Sequence, residues 1–289
     1  MNPIIQLLRP NQWSKNLFVI LPIFFSGRLA DPHLWAPMLL TVIAFCLASS
    51  AIYSLNDVMD AKADRTHPVK CRRPVAAGKV SGPAAITLTV VLAIISIAIS
   101  LSVNLLTCVT IAVYIAINIA YCLGLRRLAI LDVMTIAVGF VLRVLAGGVA
   151  TDTYTSPWII IMVFFLSLLI GFGKRRDELS ATADAPDVVA RGSIREYNLP
   201  FLNLVLGILT GMTMTAYIMY TLSPSTAQEF DCQYVYVSSV FVTAGLLHYL
   251  QLAIVKQNSG DPTEIFLHNR FVQGCILLWI AFFATIIYL

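Results

Sequence analysis

Charge is what this chain has least of. Only 12% of its 289 residues are Asp, Glu, Lys or Arg, while 58% are hydrophobic and the mean hydropathy is +0.83. Soluble domains carry about twice that charge, so a water-soluble enzyme is excluded. No hydrophilic linker long enough to separate two domains interrupts the sequence. The start, MNPIIQLLRPNQWSKN, turns polar where the apolar core of a cleavable signal would continue, so the first span is expected to insert without cleavage. The six cysteines show no metal or redox spacing. Cys46, Cys108, Cys122 and Cys275 lie in apolar stretches and read as packing residues; Cys71 and Cys232 fall in loops on opposite sides of the expected membrane. His33, His67, His248 and His268 form no ligand cluster. No P-loop, Ser–His–Asp arrangement or nucleotide fingerprint is present, and nothing points to a nucleic-acid partner.

What the chain does have is a series of apolar runs close to the ~20 residues that cross a bilayer as helix. They predict an all-α integral membrane protein, a single polytopic domain over residues 1–289. Nine spans are expected, at 17–35, 36–55, 83–103, 105–124, 128–150, 157–173, 200–222, 234–255 and 269–288. Gly27, Asp31 and Pro32 interrupt the first two, and Ser102–Asn104 makes a tight turn between the third and fourth. With the N-terminus inside, seventeen of the nineteen lysines and arginines lie on the cytoplasmic side; Arg28 falls outside and Arg143 within a span. The positive-inside rule sets this orientation, and predicts a multi-pass protein of the inner (cytoplasmic) membrane. Two connections on that side, 56–82 and 174–199, mix acids with bases, and the chemistry is expected there.

The first connection opens with NDVMDAKAD, directly after the second span. At about 100° per residue, Tyr53, Asn56, Asp57, Asp60 and Asp64 fall on one stripe of a helix that continues out of the membrane. Carboxylates stacked on one face repel one another unless a cation sits among them. Oxygen donors favour Mg²⁺, which takes one or two carboxylates together with substrate phosphates and water. Asn56, Asp57, Asp60 and Asp64 are therefore candidate metal ligands, and the three aspartates candidate catalytic residues through that metal. An isolated DxxD would read as a solvated helix end.

Next comes RTHPVKCRRPVAAGKV. His67-Pro68 and Arg73-Pro74 disfavour helix, so the segment is an ordered turn that keeps Lys70, Arg72 and Arg73 within reach of the acids. Arginine grips phosphate through a fork of N–H groups and lysine acts as a compact charge. These three are candidate substrate ligands, as Tyr53 is on the stripe, whereas Lys79 reads as membrane anchoring. Ser81 is the expected N-cap of the third span, with Pro83 in its first turn.

N-D-x-x-D-x-x-x-D after the second of nine spans resembles the first signature of the UbiA superfamily of intramembrane prenyltransferases, and the resemblance covers nearly the whole chain. RPNQWSKN (9–16), HPVKCRRPVAAG (67–78), GFVLRVLAGG (139–148), GKRRDEL (within 171–179) and DPTEIFLHNR (261–270) resemble, more narrowly, its decaprenyl-phosphate phosphoribosyltransferase branch. The resemblance implies a helical bundle around a central cavity open to cytoplasm and lipid. It implies 5-phosphoribosyl 1-diphosphate and a polyprenyl (decaprenyl) phosphate as substrates, with a product that supplies arabinose donors for cell-wall glycans. It also implies that Lys15 touches the donor's phosphates, where the residues alone suggest snorkelling beside the interfacial Trp13.

The second connection departs from the superfamily pattern. Aromatic prenyltransferases carry a second aspartate-rich motif there; this chain has Lys174, Arg175, Arg176, Asp177 and Glu178, then Asp184 and Asp187 around Pro186. A basic cluster facing a metal stripe can hold a second anionic group. That favours phosphoribosyl transfer over prenyl transfer to an aromatic acceptor. Lys174 and Arg175 are expected to hold phosphate, and Arg176 to be a topology signal. Arg126 and Arg127, in the turn after the fourth span, could extend the basic rim, but anchoring is the role expected of them. Arg143 is costly inside a span. Asp132, eleven residues earlier, is about 16 Å away along the helix, so Arg143 is expected to reach a polar group on another span or a substrate phosphate. Acids gathered at one membrane face argue against a transporter, which would place them near the midplane. The sequence is compatible with an oligomer and does not set its size.

Overall fold

The computed structural model describes residues 2–66, 69–184, 192–255 and 269–288. Among the described residues every regular element is helical, and eight helices are long and apolar enough to cross a membrane. The chain divides into two compact units, Met1–Thr155 and Ser156–Leu289.

The first unit contains α1 (Pro3–Leu8), a 3₁₀ helix (Pro10–Ile20), α2 (Leu21–Phe25), α3 (Trp35–Asp64), α4 (Gly82–Val103), α5 (Leu105–Leu123) and α6 (Leu131–Ala150). The first expected span, 17–35, is not one α-helix. At about 2.0 Å per residue the 3₁₀ stretch rises about 22 Å, and α2 adds about 7.5 Å. Together they are about 30 Å long, but residues 10–16 are largely polar, and the segment is not among the eight helices long and apolar enough to cross a membrane. Two features favour the narrower helix. Pro22 has no N–H for the Phe18 carbonyl, which instead accepts from Leu21. Gly147 of α6 lies flat against this segment: a Cβ there would come 1.9 Å from the Val19 carbonyl oxygen.

α3 joins the second expected span and the acidic stretch into one element of 30 residues. Its only proline, Pro37, is in the first turn, and no glycine interrupts it. At 1.5 Å per residue it is about 45 Å long, so about ten residues extend past the ~30 Å apolar layer. Asn56–Asp64 occupy that extension. The interior combines Val19, Ala44, Phe45, Ala48, Ile111, Tyr114, Leu142 and Ala146. Small residues let α3 approach α4 closely enough for Ser54 Oγ to donate to the Ala85 carbonyl (3.0 Å) and Ser96 Oγ to that of Ala44 (2.7 Å). Ser81 caps α4 as expected, accepting from the Ala84 N–H at 3.4 Å.

The second unit contains α7 (Pro157–Asp184), α8 (Leu199–Leu222), α9 (Pro224–Glu229), α10 (Ser239–Leu250) followed by a π-helical turn (Gln251–Val255), and α11 (Arg270–Tyr288). α7 repeats the device of α3. Its 28 residues carry the apolar span and the Lys174–Glu178 stretch on one helix, so what reads as a loop in the sequence begins as helix. Buried hydrogen bonds link α8 outward: Tyr217 Oη and Ser238 Oγ are 2.7 Å apart, and Trp279 Nε1 donates to Tyr217 Oη at 2.6 Å.

Candidate active site

The acids sit at the C-terminal end of α3, where the helix dipole adds to their mutual repulsion. Three arginines from three separate segments answer them. Arg9 Nη2 lies 2.5 Å from Asp57 Oδ1. Arg73 Nη1 lies 2.7 Å from Asp64 Oδ2 and 3.7 Å from Asp57 Oδ1. Arg126 Nη1 lies 2.6 Å from Asp60 Oδ1. The Asp57 side chain is only 2% exposed, that of Asp60 28%.

Local folding explains each placement. Arg9 occupies the left-handed kink between α1 and the 3₁₀ helix (φ 50°, ψ 60°). Leu7, two residues earlier, is buried with Val75 and Ala85, which fixes α1 beside α3. The Arg9 guanidinium then lies over the Tyr53 ring at 5.1 Å. Arg73 is extended (φ −62°, ψ 143°), as the residue before a proline should be. The turn after it closes on one carbonyl: the Lys79 and Val80 N–H groups both donate to Pro74, at 2.9 and 3.2 Å. Gly78 adopts φ +71° to allow this. Arg126 belongs to the short turn Leu125–Arg127 that follows α5.

The structure thus gathers Tyr53, Asn56, Asp57, Asp60, Asp64 and Arg73, all predicted. Asn56 Oδ1 also accepts from the Cys122 thiol at 3.1 Å. Lys70 is half-buried in the turn Lys70–Arg72, and Lys15 is half-buried on the 3₁₀ helix. Arg72 is exposed and makes no ion pair among the described residues. His67 and Pro68 lie outside the described residues. Sequence reasoning does not place Arg9 or Arg126 against the acids: it counts Arg9 only among the cytoplasmic bases and expects Arg126 to anchor. Arg9 opens the RPNQWSKN stretch, and Arg126 follows a span that returns to the same membrane side as Asn56. Those were the available signals.

Arg143 stands apart from the acids. It is 5% exposed. Its Nε donates to Asn16 Oδ1 (2.8 Å), Nη1 to the Gly139 carbonyl (2.7 Å) and Nη2 to Tyr114 Oη (3.0 Å). The rings of Tyr114, Phe140 and Phe45 surround it with centroids at 4.8, 5.3 and 5.5 Å. No carboxylate pairs with it among the described residues. Of the two sequence options, the polar partner on other elements is what the geometry displays.

In the second unit Lys174 is half-buried, and buried Arg175 pairs with Glu178. Arg176 is buried too, donating through Nε to Asn203 Oδ1 (2.7 Å) and through Nη2 to the Ile254 carbonyl (3.4 Å). Its expected role as a topology signal is corrected by this burial: it joins α7 to α8 and to the π-helical turn. Asp187, the Asp184 side chain and residues 261–268 of DPTEIFLHNR lie outside what the structure describes.

Asn56 and Asp60 are one helical turn apart on the same face, with about 5–6 Å between such Cβ atoms. One neutral and one ionised oxygen donor, with Asp60 part-exposed, suit Mg²⁺ completed by phosphate and water. Among the described residues no group of three or more His, Cys, Asp or Glu is arranged to hold a metal; a two-donor Mg²⁺ site needs none.

The UbiA prenyltransferase family profile matches residues 17–272. The chain belongs to the UbiA prenyltransferase family. Within it, a decaprenyl-phosphate phosphoribosyltransferase of Mycolicibacterium smegmatis is 35% identical over 99% of this chain and 92% of its own length. One of Mycobacterium tuberculosis is 31% identical over 96% of this chain and 92% of its own. Among solved structures, a UbiA homolog from Archaeoglobus fulgidus bound to GPP and Mg²⁺ superposes with a TM-score of 0.70 at 17% identity, covering 99% of this chain and 100% of that one. At that identity the likeness is one of fold. The chain is a multi-pass membrane protein with the UbiA fold.

Proposed function

We propose that this UbiA-family protein transfers 5-phosphoribose from 5-phosphoribosyl 1-diphosphate to a polyprenyl (decaprenyl) phosphate, releasing diphosphate, at the cytoplasmic face of the inner membrane. The observation that carries the reading is the engagement of the acidic stripe by Arg9, Arg73 and Arg126, six charges of both signs in one cluster. Full-length similarity to enzymes named for that transfer supports the same reading.

Asn56 and Asp60 would hold Mg²⁺, which when bound neutralises the charge that develops on the departing diphosphate. Asp57 and Asp64, candidate metal ligands from the sequence, are assigned instead to aiming arginines, because their oxygens already meet guanidinium groups: Asp57 orients Arg9 and Arg73, and Asp64 orients Arg73. Each guanidinium retains N–H groups for phosphate oxygens. The Tyr53 hydroxyl, at the base of the cluster, would donate to the donor substrate. Lys15, Lys70 and Arg72 would add positive charge, and Lys174 and Arg175 would hold phosphate in the second unit. The bond from ribose C1 to the diphosphate oxygen breaks through an oxocarbenium-like state. A phosphate oxygen of the lipid forms the new bond to C1 from the opposite face, inverting it. The acceptor is already anionic, so no strong general base is required. The protein's work is to position and screen two anions that repel each other.

The same-fold alternative is transfer of a prenyl group from its diphosphate to an aromatic acceptor, which calls for acid pairs where α7 carries Lys174–Arg176. The two reactions separate in one experiment. Membranes containing the protein receive either labelled phosphoribosyl diphosphate with decaprenyl phosphate, or labelled prenyl diphosphate with an aromatic acid. Label reaching the lipid phosphate is expected. Prenylation of the aromatic acid without it would overturn the assignment.

A further inference from the structure

We propose that Cys122 is a positioning residue of this site: its thiol orients the Asn56 carboxamide and so sets how strongly the Asn56–Asp60 pair binds a divalent cation. This rests on the reading of that pair given above. Cys122 lies in the last turn of α5, 1% exposed, with Sγ 3.1 Å from Asn56 Oδ1. A carboxamide turns about its last torsion with a broad two-fold preference, and its two ends behave oppositely, since the oxygen accepts and the NH₂ donates. A cation needs the oxygen. With the thiol donating, Oδ1 is fixed toward α5 with one lone pair engaged, and its second lone pair remains for the cation.

The surroundings support a dedicated role. Four residues on, Arg126 meets Asp60 Oδ1 at 2.6 Å. The stretch 122–126 therefore addresses both members of the pair, the neutral one through sulfur and the ionised one through a guanidinium. A weak donor suits the task. A thiol restrains the amide while drawing little electron density from its oxygen.

Loss of an outer partner of a metal ligand costs about 10–100-fold in affinity or activity. A thiol bond should fall at the lower end, about tenfold. The test uses the purified full chain and its Cys122→Ala and Cys122→Ser variants. Two quantities are read: the Mg²⁺ concentration that half-saturates retention of labelled phosphoribosyl diphosphate, and the unfolding temperature without ligand. Cys122→Ala should raise half-saturating Mg²⁺ about tenfold with little change in unfolding temperature. Cys122→Ser, whose hydroxyl also donates, should recover most of it. An unchanged Mg²⁺ requirement in Cys122→Ala, or a rise that merely follows lost folded protein, would overturn the proposal. Donor retention by the wild type that ignores Mg²⁺ would instead refute the metal assignment beneath it.

Discussion

Arg143→Met is the most demanding mutation this structure offers, because the replacement matches the volume and removes only the chemistry. The guanidinium is nearly fully buried, with three neutral hydrogen-bond acceptors, three aromatic rings and, among the described residues, no carboxylate partner. Its removal leaves Asn16 Oδ1 and Tyr114 Oη without that donor, at about 1–3 kcal/mol each. Lost ring contacts add about 0.5–2 kcal/mol. Relief of a buried charge offsets part of this. A net loss of about 2–4 kcal/mol is expected, on the order of 5–10 °C in unfolding temperature. Fluorescence-detected size exclusion after heating, in nanodiscs, reads it directly. Arg143→Lys should recover little, since a point charge cannot serve three separated acceptors at once. Adding Asn16→Leu to Arg143→Met should restore part of the loss by removing the orphaned amide. If Arg143→Met melts like the wild type yet fails to turn over, Arg143 serves substrate rather than the 3₁₀ helix, and the reasoning is refuted.

Other substitutions probe different links. Gly147→Ala drives a methyl into the Val19 backbone and should cost about 3 kcal/mol, seen as a lower unfolding temperature; a neutral result would mean α6 and the 3₁₀ helix are not so close. Asp57→Asn leaves Arg9 and Arg73 without their shared anion and should destabilise by about 1–3 kcal/mol while weakening donor binding. Arg9→Lys keeps the charge and loses the fork; KM for the donor should rise about tenfold with a smaller change in kcat, and equal falls in both would argue against a binding role. Asp60→Ala should insert normally and show no turnover, measured against the wild type at equal membrane content.

The acidic stripe was legible because helical periodicity needs nothing beyond the local sequence. Asn56, Asp57, Asp60 and Asp64 are placed by the same α3 that carries the span. Most spans were legible for the same reason, through length and apolar content. The 3₁₀ path of Pro10–Ile20 was not, since apolar content is the same for either helix. What decides between them is Pro22 together with the distant Gly147. Arg9 and Arg126 were hidden by a rule that works too well: basic residues beside a span satisfy the positive-inside pattern whether or not they also meet an acid. Arg176 was misread in the same way, because its burial depends on Asn203 and the Ile254 carbonyl far along the chain. The cost of Arg143 could be read from its position, but the cage of Asn16, Tyr114 and three rings is a tertiary fact.

The most direct measurement is a structure determined with phosphoribosyl diphosphate and Mn²⁺ in place of Mg²⁺, the metal located by its anomalous scattering. An ion about 2.1 Å from Asn56 Oδ1 and an Asp60 oxygen, bridging to the diphosphate with Arg9, Arg73 or Arg126 turned toward phosphate, is what is predicted. Donor and metal seated away from Asn56 and Asp60, with no phosphate oxygen within reach of Arg9, Arg73 or Arg126, would contradict the account.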